Sequence, residues 1–158
     1  MDEQPKKQYS VQKAREKIRA FCAYRERSQY EVRERLYEYG LYTDAVNQEI
    51  SALIQENFLN EERFARAFVR GKFSIKKWGR VKIKQALYPH QLSDYVLKKA
   101  FSEIEEDQYL KTLQEVIEKK ASSVKIKSEF ERNGKIAQYV ISRGFEPSLV
   151  WEVIKGEL

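Results

Sequence analysis

The chain is short of the residues on which most small catalytic and metal-binding proteins rely. Among its 158 residues there is one cysteine, Cys22, and one histidine, His90. No internal disulfide can form, and one Cys with one His cannot build a Cys/His zinc site. A Ser-His-Asp or Cys-His arrangement would have to use His90, which follows Pro89 in a turn-like stretch. Glycine (6) and proline (3) are scarce, which argues against a turn-rich β-sandwich and for helices. No two glycines stand at G-x-G spacing and no G-x-x-x-x-G-K-[ST] occurs, so the usual phosphate-cradling loops are missing and no cofactor is expected. No apolar run approaches the roughly 18 residues of a membrane span, and no apolar N-terminal segment reads as a signal peptide. A soluble, cytoplasmic protein without a metal is the expectation.

What is present points to a folded helical chain with much exposed surface. Hydrophobic residues make up 42% and charged residues 34%, and the 13% aromatic share is too rich for a disordered chain. Apolar residues recur with helical period: Val11, Ala14, Ile18, Phe21 and Cys22 fall on one face of a first helix. Ser28 with Glu31 forms a capping-box pattern, Val32, Leu36 and Tyr39 follow as a stripe, and Gly40 suits a left-handed stop. Thr43 or Asp44 is expected to cap a third helix carrying Val46, Ile50, Leu53 and Ile54. Asn60 caps a fourth with Phe64, Ala67 and Phe68 inward. Trp78-Gly79 opens a fifth with Val81, Ile83 and Leu87 inward. Ser93 caps a sixth, a seventh carries Leu110, Leu113, Val116 and Ile117, and an eighth carries Ile136, Ala137, Val140 and Ile141 and ends at Gly144. Pro147 suits the first turn of a ninth.

Nine helices fall into three groups of three. Leu36, Leu87 and Val140 recur 51 and then 53 residues apart, and Gly40-Leu41, Gln91-Leu92 and Gly144-Phe145 align four residues later. The pattern reads as a degenerate three-helix repeat. The expected fold is all-α, three tandem three-helix repeats in an elongated, curved array, with one compact bundle as the alternative. The boundaries expected are a tail over 1–10 and repeats over 11–56, 57–104 and 105–158.

Charge is unevenly spread. The net charge is +6, yet 63–99 holds eleven Lys or Arg against one acid, Asp94, which leaves −4 for the rest. A basic middle suggests a polyanionic partner, against the plainer reading of a solvated helical surface. The candidate binding residues are Arg66, Arg70, Lys72, Lys76, Lys77, Arg80, Lys82 and Lys84. Trp78 either locks the corner between the fourth and fifth helices or offers a stacking face. Arg63 either braces Glu61 and Glu62 or touches a ligand. Glu61-Glu62 and Glu105-Glu106 lie at helix starts, where acids favour the positive dipole end, and no nucleophile accompanies them. A catalytic residue is not expected.

Three segments carry a resemblance. Leu59-Asn60-Glu61-Glu62-Arg63-Phe64-Ala65 resembles the L-[DN]-[DE]-x-R-F-A signature of the RecX family of recombination regulators. Trp78-Gly79-Arg80-Val81-Lys82-Ile83 resembles that family's G-x-x-[RK]-[IL] segment, with Arg80 where proline is more usual. Ser28-x-Tyr30-Glu31-x-Arg33-x-Arg35-Leu36 followed by Gly40 resembles its S-x-x-E-[LV]-x-x-[KR]-L-x-x-x-G opening. The match spans residues 14–87; beyond it only the helix pattern agrees. The resemblance implies three tandem three-helix units, their array right-handed, and a partner, the RecA filament on single-stranded DNA. Docking in its groove would restrain strand exchange, ATP hydrolysis and co-protease activity, with the protein acting as a non-enzymatic monomer on recombination, DNA repair and the SOS response. A stand-alone helical nucleic-acid-binding module without a RecA partner is the alternative, and a helical nuclease or transferase using Glu61 and Glu62 is the third.

Overall fold

The computed structural model describes residues 8–156. Among these there are nine α-helices and no strand: α1 (Val11–Tyr24), α2 (Gln29–Glu38), α3 (Thr43–Gln55), α4 (Glu61–Ser74), α5 (Arg80–Leu87), α6 (Asp94–Phe101), α7 (Glu106–Ser123), α8 (Glu129–Ser142) and α9 (Pro147–Ile154), with a 3-10 turn at Tyr88–His90. The chain divides into two compact units, residues up to 67 with 89–97, and 68–88 with 98–158. Most of the expected tail, up to residue 7, lies outside the described residues.

The first unit is built on α1, α2 and α3, which pack on one another. Its core is Ala14, Ile18 and Cys22 from α1, Val32 and Leu36 from α2, and Val46, Ile50 and Leu53 from α3, closed by Leu41 and Leu59. A fully buried Leu or Ile stabilises by about 1.5–3 kcal/mol, so this cluster is the main source of the unit's stability. Both bonds of the Ser28 capping box form: Ser28 Oγ accepts from the Glu31 amide, and the Glu31 carboxylate accepts from the Ser28 amide. Tyr9 is tied to the unit by its amide, which donates to the Tyr39 carbonyl at 3.0 Å, and by an edge-on contact with the Tyr39 ring. Glu49 is 3% exposed and accepts from Arg15 and Arg19. Removing those arginines would leave a buried charge uncompensated.

In the second unit, α7, α8 and α9 pack on one another. Val69 and Phe73 of α4 and Ile83 and Leu87 of α5 are buried in the same unit, and the Phe73 ring stacks on Tyr109 of α7. Here Gly79 meets Gly144 backbone to backbone. The Gly79 amide donates to the Arg143 carbonyl and the Val81 amide to the Gly144 carbonyl, each at 2.9 Å. A Cβ on Gly79 would lie 2.3 Å from the Gly144 carbonyl carbon and oxygen.

The repeat positions correspond in conformation. Leu36, Leu87 and Val140 are buried, and Gly40, Gln91 and Gly144 all take left-handed backbone, with φ of 91°, 52° and 101°. The middle repeat keeps this turn with glutamine, a residue that adopts it at a steric cost. Several inward assignments are corrected. Val81 is exposed because it lies about 200° around α5 from the buried Ile83, so both cannot face inward. Val11 and Ile54 are exposed in the end turns of α1 and α3. In α4 the inward seam runs through Phe64, Ala65, Val69 and Phe73, which leaves Ala67 and Phe68 half-buried on its flank. The α3 cap is Tyr42, with no side-chain bond, and Thr43 is the helix's first residue.

Candidate partner-binding surface

The Leu59–Ala65 segment is structural. Leu59, Phe64 and Ala65 are buried, and Asn60 Oδ1 accepts from the Arg63 amide at 2.9 Å. Arg63 does not brace Glu61 or Glu62. Its Nε donates to Glu26 at 2.6 Å, and its terminal nitrogens donate to the Asn57 side chain and to the Asn57 and Phe58 carbonyls. Asn57 has a φ of 63°, so one guanidinium staples a left-handed turn to the start of α4. Glu61 accepts from the Gln29 amide at 3.2 Å, and burial raises its pKa. Glu62 pairs with Arg66. No group of three or more His, Cys, Asp or Glu that could hold a metal occurs among the described residues.

The candidate basic residues divide by what they already touch. Arg66 reaches Glu62 at 3.5 Å in the first unit. In the second, Arg70 reaches Glu103 at 3.2 Å. Arg80 is committed more deeply: one guanidinium nitrogen is 2.6 Å from Glu106 and another 3.4 Å from Glu146, while the guanidinium carbon sits 3.8 Å from the Tyr109 ring centre. Tyr109 is fully buried between Phe73 and Phe145; its hydroxyl donates to Glu146 and accepts from the Arg80 amide. Burial, and then the bond to Glu146, push the Tyr109 pKa up. The α7 stripe read from the sequence does not include Tyr109, although this residue stands four before Leu113 and so shares its face.

Lys72 and Lys82 are half-buried, with their ammonium groups 4.9 Å and 4.5 Å from the Trp78 ring centre. Trp78 follows Lys77, which has a φ of 56°, and its amide donates to the Lys72 carbonyl, closing the end of α4. Lys76, Lys77 and Lys84 are exposed, and among the described residues none of them meets a carboxylate.

Among the described residues the chain defines the class of all-helical proteins built of three-helix units, and none of its helices is long and apolar enough to cross a membrane. Comparison with known proteins narrows the class. The family model for the second three-helix domain of RecX matches residues 60–100, and that for its third three-helix domain matches 106–154, together more than half of the chain. Similar curated proteins include the regulatory protein RecX of Clostridium perfringens strain 13, 27% identical over 122 residues, and that of Lactococcus lactis subsp. cremoris strain SK11, 28% identical over 132 residues. These alignments take in 76% and 82% of this chain but 57% and 49% of the relatives, so the chain spans about half the length of the curated proteins it matches. The crystal structure of RecX from Lactobacillus salivarius superposes with a TM-score of 0.83 at 22% identity, over 94% of this chain and 96% of that one. The chain belongs to the RecX family.

Proposed function

We propose that this chain binds the RecA–single-stranded DNA filament and restrains its ATPase, recombinase and co-protease activities without catalysing a reaction itself. Membership of a family whose curated members are named regulatory proteins carries this reading. The chemistry supports it. Lys76, Lys77 and Lys84, with Lys72 and Lys82 beside them, supply cations on one unit for a groove walled by acidic protein groups and phosphates. Arg66, Arg70 and Arg80 contribute less, because their charge is met by Glu62, by Glu103, and by Glu106 and Glu146 respectively.

The deciding experiment is RecA ATPase activity on single-stranded DNA, titrated with this protein at two salt concentrations. The expected result is a saturable fall in rate that needs more protein at the higher salt. An unchanged rate at low salt would sink the reading. Equal binding to naked DNA and to the filament would favour a plain nucleic-acid binder instead.

A further inference from the structure

The arginines of this protein are largely spent on its own carboxylates: nine of them form ion pairs with glutamates. The cations around α7 and α8 are different. Two neighbouring concavities, of about 300 and 480 Å³, share Lys120 and Tyr139 in their walls. Lys77, Lys119 and Arg143 complete the charge of the smaller one, and Lys125 and Lys135 that of the larger. No carboxylate lines either cavity, although α7 carries Glu115 and Glu118. Among the described residues the five lysines meet no acidic group, and Arg143 donates to the Lys76 carbonyl, a neutral acceptor. Six positive charges therefore line the two hollows, and among the described residues none of them pairs with a carboxylate.

The walls between the charges are apolar. Val116 lines one hollow, Val124 and Ile126 line the other, and the half-exposed Tyr139 ring, with the Lys120 ammonium 4.5 Å from its centre, stands in both. Cations alternating with apolar and aromatic wall match a chain that alternates phosphate and base. An acidic peptide would use the lysines and leave the tyrosine and aliphatic wall without a mate. We infer that the α7–α8 groove is a binding site for single-stranded nucleic acid, with lysines on the phosphodiesters and Tyr139 against a base. The site goes beyond the proposed RecA reading and needs no RecA to form.

The test is fluorescence anisotropy of a fluorescein-labelled 20-mer of oligo-thymidine with the full chain and no RecA present, so its outcome is independent of the ATPase experiment. The double variant Lys119→Glu/Lys135→Glu is compared with Lys111→Glu/Lys155→Glu, which makes the same charge change at exposed positions off the groove. The groove pair should weaken binding about tenfold or more and shallow the salt dependence, since each lost phosphate contact removes about 0.7 from the log–log slope; the control pair should change little. Tyr139→Leu should weaken binding with the salt slope intact, which a purely electrostatic surface would not show. If the Glu pair loses its helical circular dichroism, Lys119→Gln/Lys135→Gln replaces it. Equal losses from groove and control pairs, or no loss from the groove pair, would overturn the site. So would displacement of the oligonucleotide by poly-glutamate more readily than by unlabelled oligo-thymidine, which would mark an acidic protein partner.

Discussion

Gly79 lies where two backbones touch, and replacing it with alanine tests the architecture of the second unit. The new Cβ would sit 2.3 Å from the Gly144 carbonyl carbon and oxygen and 2.4 Å from the Phe145 nitrogen, where ordinary contacts begin at 3.4 Å. All three atoms are main chain, so no side chain can swing aside. The segments must part by about 1 Å, enough to break the bonds from the Gly79 and Val81 amides to Arg143 and Gly144. Leaving buried amides or carbonyls unmet costs about 1–3 kcal/mol each, and the overpacking itself about 1–3 kcal/mol. Allowing for overlap between those effects, the expected loss is about 3–6 kcal/mol, a large part of the stability of a domain this size. Both tryptophans, Trp78 and Trp151, lie in this unit, so their fluorescence in urea reports its unfolding. The companion variant is Gly134→Ala, inside α8 with nothing within 4 Å of the added methyl. It should raise stability by about 0.5–1 kcal/mol, because alanine loses less backbone freedom than glycine in a helix. A Gly79→Ala protein within about 1 kcal/mol of the parent would show that the two backbones do not meet as described.

Two further outcomes concern the first unit. His90 sits with Nδ1 2.6 Å from the buried Ser28 hydroxyl, and burial depresses its pKa below the usual value of about 6.5. A depressed folded pKa stabilises above the unfolded value and loses that contribution as pH falls through the folded one. The urea midpoint by far-ultraviolet circular dichroism should therefore drop below about pH 6.5 more steeply in the parent than in His90→Gln; parallel curves would remove His90 as the cause. Cys22 is 7% exposed and burial pushes its thiol up to about 11. At pH 8 only about a thousandth of it would be thiolate, against about a quarter of a free cysteine, so a disulfide reagent should label the folded protein on the order of a hundredfold more slowly than the urea-unfolded one. Fast native labelling would mean that α1 presents a different face.

The fold was legible where local chemistry decides it. Ser28 with Glu31, Asn60 and Ser93 each supply a side-chain oxygen to an amide three residues on, and all three caps form as expected. Gly40 and Gly144 end α2 and the turn after α8 in left-handed backbone. What could not be read were decisions made by neighbours distant in sequence. Leu41 and Tyr9 join the first core through returns of the chain, and Gly79 is glycine because Gly144, sixty-five residues on, presses against it. Hydrophobicity alone places Val81 inward, against the helical period set by Ile83 and Leu87.

The pairing of the charges is likewise set by distant neighbours, and Arg80 shows why. Counting residues from 63 to 99 gives an excess of positive charge, but the acids that neutralise it come from elsewhere: Glu103, Glu106 and Glu146 reach Arg70 and Arg80, and Glu26 reaches Arg63. A linear count treats Arg80 and Lys84, four residues apart on α5, as equal members of one strip. In the fold Arg80 is a cross-link among α5, α7 and the start of α9, and Lys84 is a solvated cation. Arg80→Glu would put a third carboxylate beside Glu106 and Glu146 and uncover the Tyr109 ring, which should cost about 2–4 kcal/mol. Lys84→Glu should change stability by less than about 0.5 kcal/mol. Filament binding should then be scored only on variants whose urea midpoints match the parent. If Lys76→Glu/Lys77→Glu/Lys84→Glu folds normally and still inhibits RecA at parental concentrations, the α4–α5 lysines are not the binding surface. If Arg80→Glu proves as stable as the parent, the Arg80–Tyr109–Glu146 cluster is not what holds the corner.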